Sequence, residues 1–356
     1  MSVKPTLVPS RALHHQNVIA VSCGAGHSFA LVSPVEGDPT QNIVYSWGKC
    51  NFGQLGHGEE EVDKSSATHI VQLDNLGVVG LGAGDAYGLA VTHMGSVYSW
   101  GCGFGGGLGH GNESHLFSPK KIEALSPHVI RKVTAGKTHT LGLSDKGEVF
   151  VWGTNKSGQL GIGSNTGTST PKRLGFDKIV REIACGESHT LILTEEGTVY
   201  GFGSNSKGQL GIPSQQTPQS NEPLPIKLEE PILNIGCGLN YSWAIDKNNH
   251  LWMWGDNIGG QLALIETPWD VPPHLVMLDN APLQVKRVSG TQYATICESL
   301  QGTIYTWGEL FLWQDTVKDR QKPLPQNCTP KESRIKRRVV DMASGCNHFV
   351  VALSLD

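Results

Sequence analysis

One self-similarity runs through this chain and constrains everything else about it. Trp-Gly or Phe-Gly recurs at Trp47, Trp100, Trp152, Phe202, Trp254 and Trp307, with spacings of 53, 52, 50, 52 and 53 residues. A second signature, Gly-x-x-His/Tyr, opens at Gly24, Gly84, Gly136, Gly186, Gly238, Gly290 and Gly345. It ends on His27, Tyr87, His139, His189, Tyr241, Tyr293 and His348. Two series locked in phase over the whole chain are the mark of a repeat architecture, one supersecondary unit per period.

Each unit can be read physically. The signature is followed by a short apolar run, such as Thr140-Leu-Gly-Leu143, typical of a buried strand. Five residues before each aromatic stands Asn42, Gly95, Gly147, Gly197, Asn249 or Gly302. Glycine and asparagine tolerate positive φ cheaply, so a hairpin turn is expected there. The next strand alternates, as in Val149-Phe-Val-Trp152. Six residues after the aromatic, a glycine introduces Gly-Gln-Leu-Gly or a variant, a second turn expected to send a final strand bearing the leucine back to the sheet. Four short antiparallel strands in about 52 residues cannot bury both faces alone, so neighbouring sheets must stack. No segment sustains a period of 3.6, which favours radial stacking. The expectation is an all-β, seven-bladed propeller forming a single domain over residues 1–356.

Composition agrees. There are 44 glycines in 356 residues, well above the average usage of about 7%, and the turns of the repeat account for the excess. With 38% hydrophobic and 17% charged residues the chain can bury a core. A net charge of −4 supplies no general field for a polyanion. The apolar runs are too short for a membrane-spanning helix, so membrane insertion is not expected. Eight cysteines without a Cys-x-x-Cys pair suit a reduced, intracellular protein, in cytoplasm or nucleus. The absence of acidic residues before Glu36 adds mitochondrial import as an alternative.

Cys185-Gly-Glu-Ser-His-Thr-Leu191, then Gly197-Thr-Val-Tyr-Gly-Phe-Gly203, then Asn205-Ser-Lys-Gly-Gln-Leu-Gly211 resemble the repeat of the regulator of chromosome condensation family. The resemblance covers about residues 5–355 and implies a seven-bladed propeller. It further implies a protein partner, with a small GTPase in view, since the family's founder is a nucleotide exchange factor for Ran that also binds chromatin. Two departures weigh against that activity: the aromatic-to-glycine interval never lengthens to hold a wedge, and only Lys4 and Arg11 precede the first repeat as basic residues. The reading is a protein-interaction propeller in a small-GTPase pathway. The alternatives are a true exchange factor for a Ran-like GTPase, or an organelle factor contacting RNA–protein assemblies.

Sites are sought where the repeat breaks. The loop from Val32 to Asn42 is extended, and Glu59-Glu-Glu-Val-Asp63 is acidic. Residues 211–225 carry four prolines and read as a connector between blades. Trp269 is either packed beneath that connector or an aromatic anchor at a loop tip. After Trp307 the Gly-Gln-Leu-Gly element gives way to Glu309-Leu-Phe-Leu-Trp313. A segment rich in base follows, with Lys318, Arg320, Lys322, Lys331, Arg334, Lys336, Arg337 and Arg338 against Asp315, Asp319 and Glu332. It reads as a solvated loop or a docking patch for an acidic partner, and the lack of aromatics after Trp313 argues against nucleic acid. The seventh unit stops short of its Trp-Gly strand, so its blade is expected to be incomplete beside the first.

No catalytic residues, metal ligands or cofactor are expected. The recurring histidines and cysteines hold one position per repeat, which is a packing role and keeps them far apart. Gly-x-Ser-x-Gly and phosphate-loop motifs are missing from the sequence.

Overall fold

The apolar run after each signature has no polar face to offer, and it becomes the most enclosed strand of its sheet. His27–Val32, Tyr87–Thr92, His139–Ser144, His189–Thr194, Tyr241–Asp246 and Ala294–Ser299 are buried along their whole length. Each is the second strand of a four-stranded antiparallel sheet, and the described residues contain six such sheets. The computed structural model describes residues 11–35, 37–58, 62–265, 269–309, 329–333, 338–346 and 348–354. In the third sheet the strands are Ile130–Ala135, His139–Ser144, Val149–Gly153 and Thr168–Arg173, paired in that order. The first strands of successive sheets pack on one another around an axis, so the sheets are the blades of a β-propeller. Among the described residues the only helices are three-residue 3-10 turns.

Between blade six and blade one lies a two-stranded sheet, Val339–Ser344 with Phe349–Leu353. Its first strand is tied to both neighbours. Arg287 donates to the Val339 carbonyl at 2.8 Å, and the Asp341 carboxylate accepts the Val21 amide at 2.9 Å. Residues 18–20 already belong to the inner strand of blade one, Val18–Cys23.

Inner strands run from what we term the lower end to the upper end. The signature turns and second turns lie at the upper end, and the hairpins and blade connectors at the lower. The hairpin expectation holds at Gly147 (φ 77°) and Asn249 (φ 63°) but fails at Asn42, whose φ is −65°. There the longer loop makes its turn through the 3-10 segment Pro39–Gln41, and the Asn42 side chain donates to the Val78 carbonyl of blade two instead. Two further expectations are corrected. The prolines of residues 211–225 do not mark a mere connector: Gln219–Ile226 is the outer strand of blade four, with Pro225 opposite Tyr200. An outer strand tolerates proline because one edge needs no donor. The leucines of the second turns are not on the outer strands either. Leu55, Leu108, Leu160, Leu210 and Leu262 stay in the turns, fully buried between blades, and the outer strand of blade three starts only at Thr168.

The signature residues latch one blade to the next. The Tyr87 hydroxyl meets the His139 carbonyl and Thr140 Oγ1, both at 2.9 Å. His139 Nε2 lies 3.1 Å from Thr190 Oγ1, His189 Nε2 3.0 Å from Ser242 Oγ, and His348 Nε2 3.0 Å from Ser28 Oγ. The Thr190 hydroxyl already donates to the Gln159 carbonyl at 2.8 Å, so His139 must carry its proton on Nε2. The glycine is a close-approach residue. A Cβ on Gly136 would lie 2.2 Å from the His139 ring and 2.3 Å from the Gly186 carbonyl.

Blade six corrects the sequence alignment by one residue. Thr291, not Gly290, donates its amide across the turn, to Ala294, just as Gly136 does to His139. Ala294 therefore occupies the ring position, and Tyr293 stands in the turn, half-buried. With no ring folding back, the turn has room for Thr291. Gly290 is glycine for another reason: a Cβ there would lie 2.1 Å from the Tyr241 hydroxyl of blade five.

Candidate interaction surface

The upper end is built from rigid second turns. In blade three the Gln159 carboxamide accepts the Ser157 amide at 3.0 Å, and Asn155 clasps Leu160, Ser164 and Thr166 through their backbones. Asn205 repeats the arrangement in blade four, and Asn257 clasps Leu262 and Leu264 in blade five. In four of these turns a backbone carbonyl then receives the indole of the next blade, while that of Gln159, followed by Phe202, receives the Thr190 hydroxyl. Trp100 donates to Gln54, Trp152 to Gly107, Trp254 to Gln209 and Trp307 to Gln261, at 2.8–3.0 Å. These tryptophans and Phe202 are fully buried, whereas Trp47, with no second turn before it among the described residues, is only half-buried.

Side chains held out by these turns form two exposed features. Trp269 is 55% exposed, with the Lys207 ammonium 5.5 Å from its ring centre. The Asp270 carboxylate beside it accepts the Ser214 amide and hydroxyl at 3.0 Å. Of the two expectations for Trp269 the exposed loop position is the one observed. The second feature was not foreseen. In blades one and two the clasping asparagine is replaced by Cys50 and Gly103, and Phe52, Phe104 and His115 gather there with ring centres 4.6–6.1 Å apart. The Gly103 amide donates to His115 Nδ1 at 3.0 Å and fixes the imidazole. The loss of asparagine from two turns was the sequence signal for it.

The basic segment is not assembled into one patch among the described residues. Lys331 lies on the outer strand of blade six, and Arg338 leads into the inner strand Val339–Ser344 at the lower end. Lys318, Arg320, Lys322, Arg334, Lys336, Arg337 and Trp313 fall outside the described residues, as do Glu59, Glu60 and Glu61. Asp63 is held by Lys49 at 2.7 Å and by the Cys50 amide at 2.9 Å. These partners keep its carboxyl below the usual range.

Burial pushes the Cys23 thiol up to about 12 and the Cys346 thiol to about 11, away from thiolate. Burial likewise holds His27 and His139 down to about 4. No group of three His, Cys, Asp or Glu among the described residues could hold a metal ion. No helix among them is long and apolar enough to cross a membrane.

Solved structures share this architecture. Human WBSCR16 superposes with a TM-score of 0.80 at 22% identity, over 96% of this chain and 88% of that one. Prp20p of Saccharomyces cerevisiae, reported together with its binding properties to Gsp1p and histones, gives 0.74 at 21% identity, over 98% and 82%. In sequence, the ultraviolet-B receptor UVR8 of Arabidopsis thaliana is 33% identical over 339 residues, 94% of this chain and 74% of the relative. The E3 ubiquitin-protein ligase HERC2 of Homo sapiens is 35% identical over 170 residues, which is 48% of this chain but 3% of that protein. The RCC1-like domain matches residues 43–355. With the repeated latches and second turns described above, this places the chain in the RCC1-like domain family.

Proposed function

We propose that the protein is an interaction propeller whose upper end contacts a protein partner in a small-GTPase pathway. The observation that carries the reading is Trp269, a large aromatic held out of the core by a loop whose neighbouring residue is anchored to blade four. Tryptophan is among the residues most enriched at the energetic centre of protein contacts. Similarity to Prp20p, with its reported binding to Gsp1p, supports a GTPase as the partner. The two-stranded sheet is read as the seventh blade, because it carries the latch residue His348 and sits in the ring. The intracellular assignment, to cytoplasm, nucleus or mitochondrion, belongs to this same proposal.

The test is binding of the purified propeller to a panel of small GTPases, compared with Trp269→Ala. Capture of a GTPase by the parent protein and its loss in the variant is the expected result. Equal capture by both proteins would remove Trp269 from the interface, and capture of none would remove the GTPase. Adding fluorescent GDP to the same panel separates plain binding from exchange, since an exchange factor alone speeds nucleotide release.

A further inference from the structure

The lower mouth of the central channel has a feature that recurs in every unit. Each inner strand bulges at its second residue, so that one extra residue is pushed out of the ladder. In ring order these residues are Ile19, Val79, Arg131, Arg181, Leu233, Lys286 and Val340. A bulge re-aims a side chain and is otherwise a cost to the sheet. Here its repetition presents a ring of side chains at one end of the axis. Ile19, Val79 and Leu233 are 38–48% exposed although aliphatic, and Arg131 and Lys286 are exposed too.

Charge is uneven along the axis. The inner strands hold five basic residues, Arg131, Lys132, Arg181, Lys286 and Arg287, against Glu182 and Asp341. All seven stand at or beside the bulges, in a chain of net charge −4. The acids are already occupied: Glu182 pairs with Lys132, Asp341 accepts the Val21 amide, and Glu298 on the adjoining strand pairs with Lys286 and Arg287, so Arg131 and Arg181 stand outside these ion pairs. Arg131 donates one guanidinium nitrogen to the Val180 and Arg181 carbonyls, and Arg181 donates to the Ile232 carbonyl. Each guanidinium thus reaches to the next blade through one nitrogen and retains further donors. Round the ring an aliphatic arc, Val340, Ile19 and Val79, adjoins a cationic arc of Arg131 and Arg181, and Leu233 and Lys286 close the circle.

We propose that this lower mouth docks a segment of a partner protein with acidic residues on one side and aliphatic residues on the other. Charge complementarity selects the acids, and the exposed aliphatic arc selects against a bare polyanion. No inner strand carries an aromatic residue, so a nucleic acid would find no stacking surface. A groove of about 300 Å³ between blades three and four continues the surface outward, lined by Lys146, Arg173, Lys178 and the exposed Ile179 together with the acids Glu148 and Asp177. The proposal rests on the reading of the propeller as an interaction module, but at the end opposite Trp269.

The probe is a short fluorescein-labelled peptide built from Leu-Leu-Glu-Glu repeats, followed by anisotropy with the whole protein. Saturable binding is expected, weakening as salt rises. It should weaken at least about tenfold in Lys286→Glu and in the pair Ile19→Ser, Val79→Ser, a loss of about 1.4 kcal/mol or more. Arg131→Glu with Arg181→Glu should abolish it, with circular dichroism and melting to verify folding. The upper-end variants Lys156→Glu and Trp269→Ala should bind as the parent does. No binding by the parent, or a loss only in the upper-end variants, would overturn the proposal. So would tighter binding of a labelled oligo-dT strand that the peptide cannot displace. The GTPase panel is scored separately on Trp269→Ala and Lys286→Glu, so failure at one end leaves the other reading standing or falling alone.

Discussion

The latch between blades is a contract between a ring on one strand and a hydroxyl on the next, and its terms are visible where it changes. His27 faces Gly88, so its ring meets no side-chain hydroxyl among the described residues. A Cβ at Gly88 would lie 2.5 Å from Trp100 and 2.6 Å from Phe29. The Phe29–Trp100 edge contact, 5.4 Å between centres, has displaced the hydroxyl. Gly136→Ala drives a methyl into the His139 ring and should cost about 2 kcal/mol or more. Urea denaturation monitored by tryptophan fluorescence reads the loss directly. The imidazoles also set a pH dependence. Burial holds His139 at about 4 and His189 at about 3 in the folded protein, while an unfolded histidine titrates near 6.5. Protons are then taken up only by the unfolded chain as pH falls from about 6.5 towards 4. Stability should be level above that window and decline through it. Asp341, whose carboxyl burial pushes upward, works in the opposite sense. His139→Gln keeps a donor for Thr190, and titrating its urea midpoint should show the acid slope reduced by about one proton.

At the scale of the element, the second turn is the device that makes a blade depend on its predecessor. Its glutamine closes the turn, its leucine fills the core, and its backbone carbonyl receives both an indole and a hydroxyl from the blade that follows. Trp152→Phe leaves the Gly107 carbonyl short of one donor and should lose about 1–2 kcal/mol. Trp47→Phe, at a half-buried site with no such turn before it among the described residues, should lose much less, and equilibrium unfolding of the two variants side by side checks the contrast. The sequence displayed this element as punctuation without revealing its mechanics. Gly-Gln-Leu-Gly fixed where the turn falls. Whether the leucine lay on a strand or in the turn depended on the Asn155 clasp, a contact of the folded loop. Blade six departs for a related reason: Gly290 and Tyr293 satisfy the motif by letter, and the Thr291 amide donating to Ala294 shows that the turn begins one residue later. The aromatic group of Phe52, Phe104 and His115 comes from two blades and could not be inferred from spacing within either.

At the scale of the whole molecule, the repeat makes the blades alike and the sheet between blades six and one makes the ring uneven. Phe349–Leu353 pairs with Val339–Ser344 alone among the described residues, whereas His139–Ser144 is paired on both sides. Hydrogen–deuterium exchange should therefore show amides of Phe349–Leu353 losing protection well before those of His139–Ser144. Equal protection would require a further strand on that edge. The joint between blade six and this sheet has a different consequence. Most latches speak one vocabulary, a ring donor and a small hydroxyl, so a unit copied elsewhere in the ring would still find compatible neighbours. At this joint both words have changed together, with Ala294 where a ring is due and Phe349 where a hydroxyl is due. A ring of otherwise similar joints thus carries one whose two sides both differ from the rest.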